Sequence, residues 1–512
     1  MRLPLVLMAA GFSLLAGCQH LTVQPVTPLP SQVETPATPL VNLAEEQPEP
    51  VVVTDVWQRI RLGLTMPVPD QKLVNQYRDW YIKHPQHLAR VSERAEPFMY
   101  LIVEEIEKRN LPIELALLPI VESAFDPFAY SHGAASGLWQ FTSPMAKYFG
   151  LEMNWWYDGR RDVPAATTAA LDMMEYLYQK THQNWLYAIA AYNTGEGRVL
   201  NAIKRNQRKG ISSDFWSLDL PRETERYVPQ LIALADVINN AEAYGIELHP
   251  IPNQPQLKVV EIGSQIDLAL AAKMADMTLN ELHSLNPGFN QWATAPQGPH
   301  KLVLPIDKAE AFEIVLSQSE ATDRLSWQRY KIKSGDSLGK IAERYNTTPA
   351  ALRAVNDMQN NTIIAGKHLL IPVAAKDPSQ YLLSADQRLQ QQQSRSGKGI
   401  KLNYTVKPGD SFWKIAKAHK VKVSSLAKWN AMTPKDPLKL GKTLVIWQQS
   451  NKSSVTRTVN YIVRSGDSLA KIAAKFKVQV NQLVQWNNLS GKKYLQPGQK
   501  LTVHVDVTRS RA

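Results

Sequence analysis

The sequence predicts a multidomain α+β chain: a mainly α-helical front half followed by small βααβ modules. Three observations carry this. Apolar residues between Trp57 and Pro250 recur at helical spacing, and no alternating strand runs compete with them. Three segments of the back half repeat one another. The charge divides near the same border. Arg329 to Ala512 holds 32 Lys+Arg against 9 Asp+Glu, a net +23, whereas Met1 to Gln328 holds 26 against 37, a net −11. At roughly 150 residues per domain, 512 residues suggest three or four domains. An apolar fraction of 44% suffices for packed cores and excludes wholesale disorder. One cysteine excludes a disulfide framework and any zinc site built from several thiolates.

The chain opens with Arg2 and an apolar run from Leu3 to Ala16, broken by Pro4, Gly11 and Ser13. Leu15-Ala16-Gly17-Cys18 follows. A basic start, an apolar core and small residues before a cleavage point describe an export signal. The run is shorter than the ~20 residues of a membrane-spanning helix. Leu-Ala-Gly-Cys at this position resembles the lipobox of bacterial lipoproteins, in which the peptide is cut before the cysteine and the cysteine is acylated. The sole Cys is then the residue a lipid needs. By the same resemblance, Gln19 after the cysteine favours the outer membrane, facing the periplasm. Seven prolines between Gln19 and Pro50 preclude helix and sheet ladder and read as an extended spacer.

In the helical half, Leu73, Val74, Tyr77, Trp80 and Tyr81 form one helix face. Phe98, Leu101, Ile102 and Ile106 form another, closed by Asn110 and Pro112. Asp162 and Pro164 open a helix that carries Leu171, Met174, Leu177 and Tyr178.

The repeats begin Tyr330-Lys331-Ile332-Lys333-Ser334-Gly335-Asp336-Ser337, Tyr404 to Ser411 with Gly409-Asp410-Ser411, and Tyr461 to Ser468 with Gly466-Asp467-Ser468. Each has an Ile-Ala pair in its first helix, and an Asn twenty residues after the Asp: Asn356, Asn430 and Asn487. Gly-Asp-Ser supplies a turn and a helix N-cap. The pattern reads as strand, helix, helix, strand. These segments resemble LysM modules, which bind N-acetylglucosamine-containing glycans; the resemblance makes each Gly-Asp-Ser loop one wall of a sugar groove. A fourth, degenerate copy is expected over 256–306, where Ser264 replaces the Asp and Asn286 keeps the Asn.

Leu117-Leu118-Pro119-Ile120-Val121-Glu122-Ser123 closes an apolar run with a carboxylate. Burial there raises its pKa toward the range of a general acid. Gly137-Leu138-Trp139-Gln140, Ala191-Tyr192-Asn193-Thr194-Gly195 and Glu223-Thr224-Glu225-Arg226-Tyr227-Val228 follow. In this order the four motifs resemble those of lytic transglycosylases, lysozyme-like enzymes that cut peptidoglycan. The resemblance covers nearly the whole chain, and Glu225 departs from it, since many relatives carry a basic residue there. It implies a lysozyme-like catalytic domain with Glu122 as the single acid/base. Ser123, Ser131, Gln140, Tyr192, Asn193 and Tyr227 match groups that hold the sugar or stand near the acid. Glu223 matches a second buried acid, and Trp139 offers either cleft surface or core.

The expected organisation is a signal peptide over 1–17, a tether over 18–55, the catalytic domain over 56–250, and LysM modules over 329–373, 403–447 and 460–504. Flexible linkers over 374–402 and 448–459 separate the modules as beads on a string. The expected partners are glycan strands and, through Cys18, a membrane; no nucleic acid, metal or organic cofactor is expected. A hydrolytic muramidase, with Asp126 or Asp158 as its second carboxylate, and a non-catalytic wall tether stay open as alternatives. A thiol peptidase is excluded because Cys18 is the only cysteine.

Overall fold

The computed structural model describes residues 52–131, 133–395, 399–448, 456–489 and 495–506. The expected signal peptide, Cys18 and nearly all of the proline-rich spacer lie outside the described residues.

The front half is helical. Asp55 caps α1 (Val56–Gly63) by accepting from the Trp57 and Gln58 amides. The expected helix faces fall on α2 (Lys72–Lys83) and α4 (Met99–Lys108), with α3 (Pro85–Ala95) between them. A short 3-10 turn over Ile113–Leu117 leads into α5 (Leu118–Ser123). Beyond it come α6 (Ser143–Tyr148) and α7 (Val163–Lys180), the latter capped by Asp162 as the sequence predicts. Helices α8 (Trp185–Thr194), α9 (Glu196–Lys209) and α10 (Thr224–Asn239) complete the domain. One continuous core runs through these helices, with α10 packed on α2, α5 and α8. Trp139 is fully buried in it, and its indole N–H donates to Thr167 Oγ1 at 3.1 Å. It is therefore core, not cleft surface.

The degenerate copy has the repeat fold. Its strands β1 (Leu257–Glu261) and β2 (Lys301–Pro305) pair antiparallel around α11 (Leu268–Met274) and α12 (Leu279–Leu285). It shares a core with the catalytic domain. Trp156 meets Trp292 with ring centroids 5.6 Å apart, and the Asp158 amide donates to Gly288 O at 2.8 Å. Helix α13 (Ile306–Ser317) covers its sheet.

The first repeat runs through β3 (Ser326–Lys331), α14 (Leu338–Arg344), α15 (Pro349–Val355) and β4 (His368–Val373). Residues 374–395 of the expected linker pack against neighbouring modules instead, which corrects the beads-on-a-string reading there. Its centre is α16 (Ala385–Ser394), capped by Ser384. The Ala385 amide donates to Asn290 O, while Gln392 and Gln393 donate through their side-chain amides to Lys428 O and Asn430 Oδ1. A polar Gln run reads as low complexity, yet its amides are donors that meet acceptors on a neighbouring module. Upstream, Tyr381 donates to the buried Asp267 and ties the same segment to the degenerate module.

The second repeat comprises β5 (Ile400–Thr405), α17 (Phe412–Ala418), α18 (Val423–Trp429) and β6 (Thr443–Gln448). The third comprises β7 (Thr456–Ile462), α19 (Leu469–Lys475), α20 (Val480–Trp486) and β8 (Lys500–Asp506). Strand β7 begins inside the second expected linker, most of which lies outside the described residues.

The repeat signature has a structural cause in each module. Asn430 donates to Leu426 O and Val445 O and accepts from the Val445 amide, stapling α18 to β6. Asn286, Asn356 and Asn487 make the same three bonds. Asp336, Asp410 and Asp467 accept from the hydroxyl of the module's first tyrosine and from the amide three residues earlier. Ser337, Ser411 and Ser468 cap the first helix. These Asp and Ser side chains are committed within their own modules. What each loop presents to a ligand is chiefly its backbone.

Candidate active site

Glu122 sits on the last turn of α5. This helix stops there because Ala124 and Phe125 both take left-handed backbone angles, with φ of 51° and 56°. The geometry is uncommon for non-glycine residues and disfavoured by roughly 1–2 kcal/mol each. It is held by the buried Phe125 ring and by the Phe125 amide, which donates to Pro119 O. Helix α5 thus ends abruptly just beyond Glu122, whose half-buried side chain meets Tyr227 from a distant part of the chain.

Tyr227, on the first turns of α10, donates its hydroxyl to Glu122 Oε1 at 2.5 Å. Burial pushes the Glu122 carboxyl up to about 7; the bond from Tyr227 opposes that rise and the charge of Glu223 adds to it. The Tyr227 and Tyr192 hydroxyls are raised well above their ordinary value by burial and by the nearby Glu122 charge. Both are neutral donors at physiological pH. Tyr192, near the end of α8, donates to Trp139 O at 2.7 Å and so ties α8 to the Gly137–Gln140 turn.

That turn requires its glycine. Gly137 has φ of 83°, and a Cβ there would lie 1.9 Å from Arg160 O. Gln140 also has positive φ, and its amide nitrogen donates to Gly137 O at 2.8 Å. Asn193 Oδ1 accepts from Thr224 Oγ1 at 2.7 Å, while its amide nitrogen makes no protein hydrogen bond among the described residues. That free donor is suited to a sugar acetamide.

Other expected site residues stand apart from this cluster. Ser123 donates to Pro119 O and Ser131 accepts from the Gly133 and Ala135 amides, so both hydroxyls shape local backbone. Glu223 is exposed at the N-cap of α10, not buried as expected. It sits before the first turn, where the chain still faces solvent, and reaches Glu122 only through its charge.

Sequence reasoning passed over Arg160. Its guanidinium makes two 2.8 Å bonds to the Asp158 carboxylate and also reaches Ala134 O, fixing the 131–141 loop from below. Arg161 is buried beside it and bonds Asn290 of the degenerate module. The dense run Tyr157-Asp158-Gly159-Arg160-Arg161-Asp162, flanked by Trp155 and Trp156, was the available signal. Asp158 is held ionised by these arginines against its burial, so it is not a free carboxylate for a second catalytic role.

Residues 99–215 match the transglycosylase SLT domain, 256–321 the LysM-like domain of lytic transglycosylase MltD, and 330–372, 404–447 and 461–504 the LysM domain. Membrane-bound lytic murein transglycosylase D of Escherichia coli K12 is 35% identical over 407 residues, covering 78% of this chain and 86% of that protein. The chain belongs to the membrane-bound lytic murein transglycosylase D family. It is similar as well to a putative tributyltin chloride resistance protein of Alteromonas, at 58% identity over 118 residues, 23% of this chain and 57% of that protein. Among solved structures, the 70 kDa soluble lytic transglycosylase Slt70 of Escherichia coli is 20% identical, covers 34% of this chain and 32% of that chain, and gives a TM-score of 0.25. Within the family frame, the lysozyme-like helical domain followed by LysM modules is the architecture this chain has.

Proposed function

We propose that Glu122 is the single acid/base of this lytic transglycosylase. Family membership makes the chain a peptidoglycan lytic transglycosylase with LysM binding modules. The observation that carries the assignment is a carboxyl raised to about 7 by burial, with the Tyr227 hydroxyl 2.5 Å away. Near neutral pH such a group both gives and takes a proton.

In the reaction, Glu122 donates its proton to the glycosidic oxygen between N-acetylmuramic acid and N-acetylglucosamine. As the bond to the anomeric carbon breaks, positive charge develops there and the substrate's own acetamido group stabilises it. The Glu122 carboxylate then takes the proton from the muramyl 6-hydroxyl, whose oxygen attacks the anomeric carbon. The products are a free N-acetylglucosamine end and a 1,6-anhydro-muramyl end, with no water consumed and the enzyme reprotonated. Two-carboxylate glycosidases need a second acid at a defined separation. Engagement of Asp158 by Arg160 disfavours Asp158 as that second acid. Tyr227 orients and solvates the carboxylate, Tyr192 holds the Gly137–Gln140 turn through Trp139 O, and Asn193 and Gln140 hold the sugar. The backbones of the Gly335-Asp336-Ser337, Gly409-Asp410-Ser411 and Gly466-Asp467-Ser468 loops contribute to glycan binding. Glu122→Gln protein incubated with purified peptidoglycan should yield no anhydro-muramyl ends by mass spectrometry, while wild type does. Reducing muramic ends from wild type would replace the transglycosylase mechanism with hydrolysis.

The finer placement belongs to the same proposal: a signal peptide ending at Gly17, acylation of Cys18, and residence in the outer membrane facing the periplasm. The Leu15–Cys18 pattern supports it, and the Escherichia coli relative is described as membrane-bound. Metabolic labelling with a palmitate analogue should mark the wild type and not a Cys18→Ala variant.

A further inference from the structure

A cavity of about 890 Å³ opens beside the cleft loop, residues Asp126–Ser131 shortly after Glu122, and its walls come from separate parts of the chain. The catalytic domain contributes Asp126, Phe128 and Arg161, α16 contributes Arg388, and the second LysM module contributes Lys442. Glu122 is not among the lining residues, yet Asp126 is four residues beyond it and donates its amide to Ser123 O.

The charge of this cavity is incompletely matched. Five lysines and arginines line it against three aspartates, and Asp158 among these already makes two bonds to Arg160. Arg388 lies over the Phe128 ring, 4.7 Å from its centroid, and its buried Nε has no hydrogen-bond partner among the described residues. Arg161 is 7% exposed; its guanidinium bonds Asn290 and lies 3.7 Å from Asp158, but its Nε has no partner among the described residues. Burial and the neighbouring Arg161 hold the Arg388 guanidinium down at about 9. Burial and Lys439 lower Lys442 as well. Leaving buried guanidinium donors unmatched is costly, and the planar fork of arginine is shaped for a carboxylate.

We propose that this cavity binds a carboxylate of the peptide stem on the glycan strand, with Arg388 as its main contact and Arg161 and Lys442 in support. The inference rests on the peptidoglycan reading above: the peptide stem of a muramyl unit carries carboxylates, and the Asp126–Ser131 wall of the cavity follows Glu122 closely in the chain. It also gives α16 a purpose. By seating the second LysM module on the cleft loop, the glutamine helix assembles a site that neither domain forms alone.

The test compares full-length protein on strands that keep their stems with the same strands stripped of stems by an amidase. Wild type should show a KM about tenfold lower on stem-bearing strands. Arg388→Gln should erase that preference and leave turnover of stripped strands unchanged. Lys442→Gln, whose ammonium sits on a different module, should reduce the preference in the same direction and guards against a folding defect in the first variant. Equal KM for wild type on both substrates would overturn the proposal, as would full preference in both variants. Calorimetry on the Glu122→Gln protein with a free stem peptide separates the two readings. Peptide binding without any glycan cleavage by wild type would keep the stem site and sink the transglycosylase assignment. Displacement of the peptide by an equimolar amount of inorganic phosphate would mean a general anion hole and overturn stem recognition.

Discussion

The catalytic domain and the LysM modules each contain a tyrosine hydroxyl bonded to a carboxyl, with opposite results. Tyr227 donates to Glu122 at 2.5 Å, and Tyr330 donates to Asp336 at 2.6 Å. Glu122 is raised to about 7, whereas Asp336 is lowered. The hydrogen bond lowers the pKa in both. The difference is the surroundings: desolvation is the largest influence on Glu122, whereas Asp336 gains the Lys333 amide as a second donor and the Arg344 guanidinium 3.8 Å away. Burial outweighs one hydrogen bond, and it turns one pairing into a proton donor and the other into a turn clamp.

The largest effect expected from this contrast is on turnover. Glu122→Gln keeps the shape and removes the proton, and should lower kcat by roughly 10³-fold or more while leaving LysM binding to cell walls intact. Next comes Tyr227→Phe. Without its donor, the Glu122 carboxyl rises above 7, so the alkaline fall in kcat/KM moves to higher pH. Turnover should drop about 10–100-fold, since the carboxylate formed in the first step loses its partner. A pH–rate profile that shifts to lower pH would break the argument that the bond opposes burial.

Stability effects follow. Asn430→Ala removes the three bonds of a fully buried staple and the acceptor of Gln393, and should destabilise the second LysM module by about 2–3 kcal/mol in thermal melts, with less effect on the catalytic domain. The Glu122→Gln protein should gain on wild type as pH rises. The folded carboxyl is raised above 4.5, so the contribution it makes at low pH is lost between 4.5 and about 7, where the amide loses nothing. The gap should reach about 3 kcal/mol at pH 8. Asp410 has the opposite sign. Its pKa is depressed, so its contribution is present above 3.8 and is lost as pH falls through its folded value. Asp410→Asn should flatten that acid limb and change stability at neutral pH by less than about 1 kcal/mol.

The three repeats were legible because their information is local. A turn, two caps and one Asn at fixed spacing close each unit within about 44 residues, so spacing alone exposes the clamp. The helix faces of α2, α4 and α7 and the cap at Asp162 were legible for the same reason. The setting of Glu122 was partly legible: the apolar run before it foretold desolvation, but not the hydroxyl of Tyr227, which arrives from 105 residues away. Where the reading failed, a distant surface decided the outcome. Glu223 shares a motif with Tyr227 yet stays exposed, because the first turn of α10 carries one inward and leaves the other at the helix end. Trp139, which its motif left open between cleft and core, fills the core, where Thr167 of α7 supplies the acceptor its indole needs. The glutamine run of α16 read as a linker because nothing in its composition names the acceptors at Lys428 and Asn430 that hold it.

The sequence by itself determined the class of reaction, the residue to suspect as its acid and the identity of the repeats. Caps, turns and ordered motifs act over short stretches of chain, and their chemistry is written in the residues themselves. Only the tertiary structure decided that the degenerate copy is fused to the catalytic domain, that α16 holds the second LysM module against the cleft loop, and that unmatched guanidiniums meet in one cavity. Desolvation and charge pairing depend on which surfaces exclude water together, and that is a property of packing.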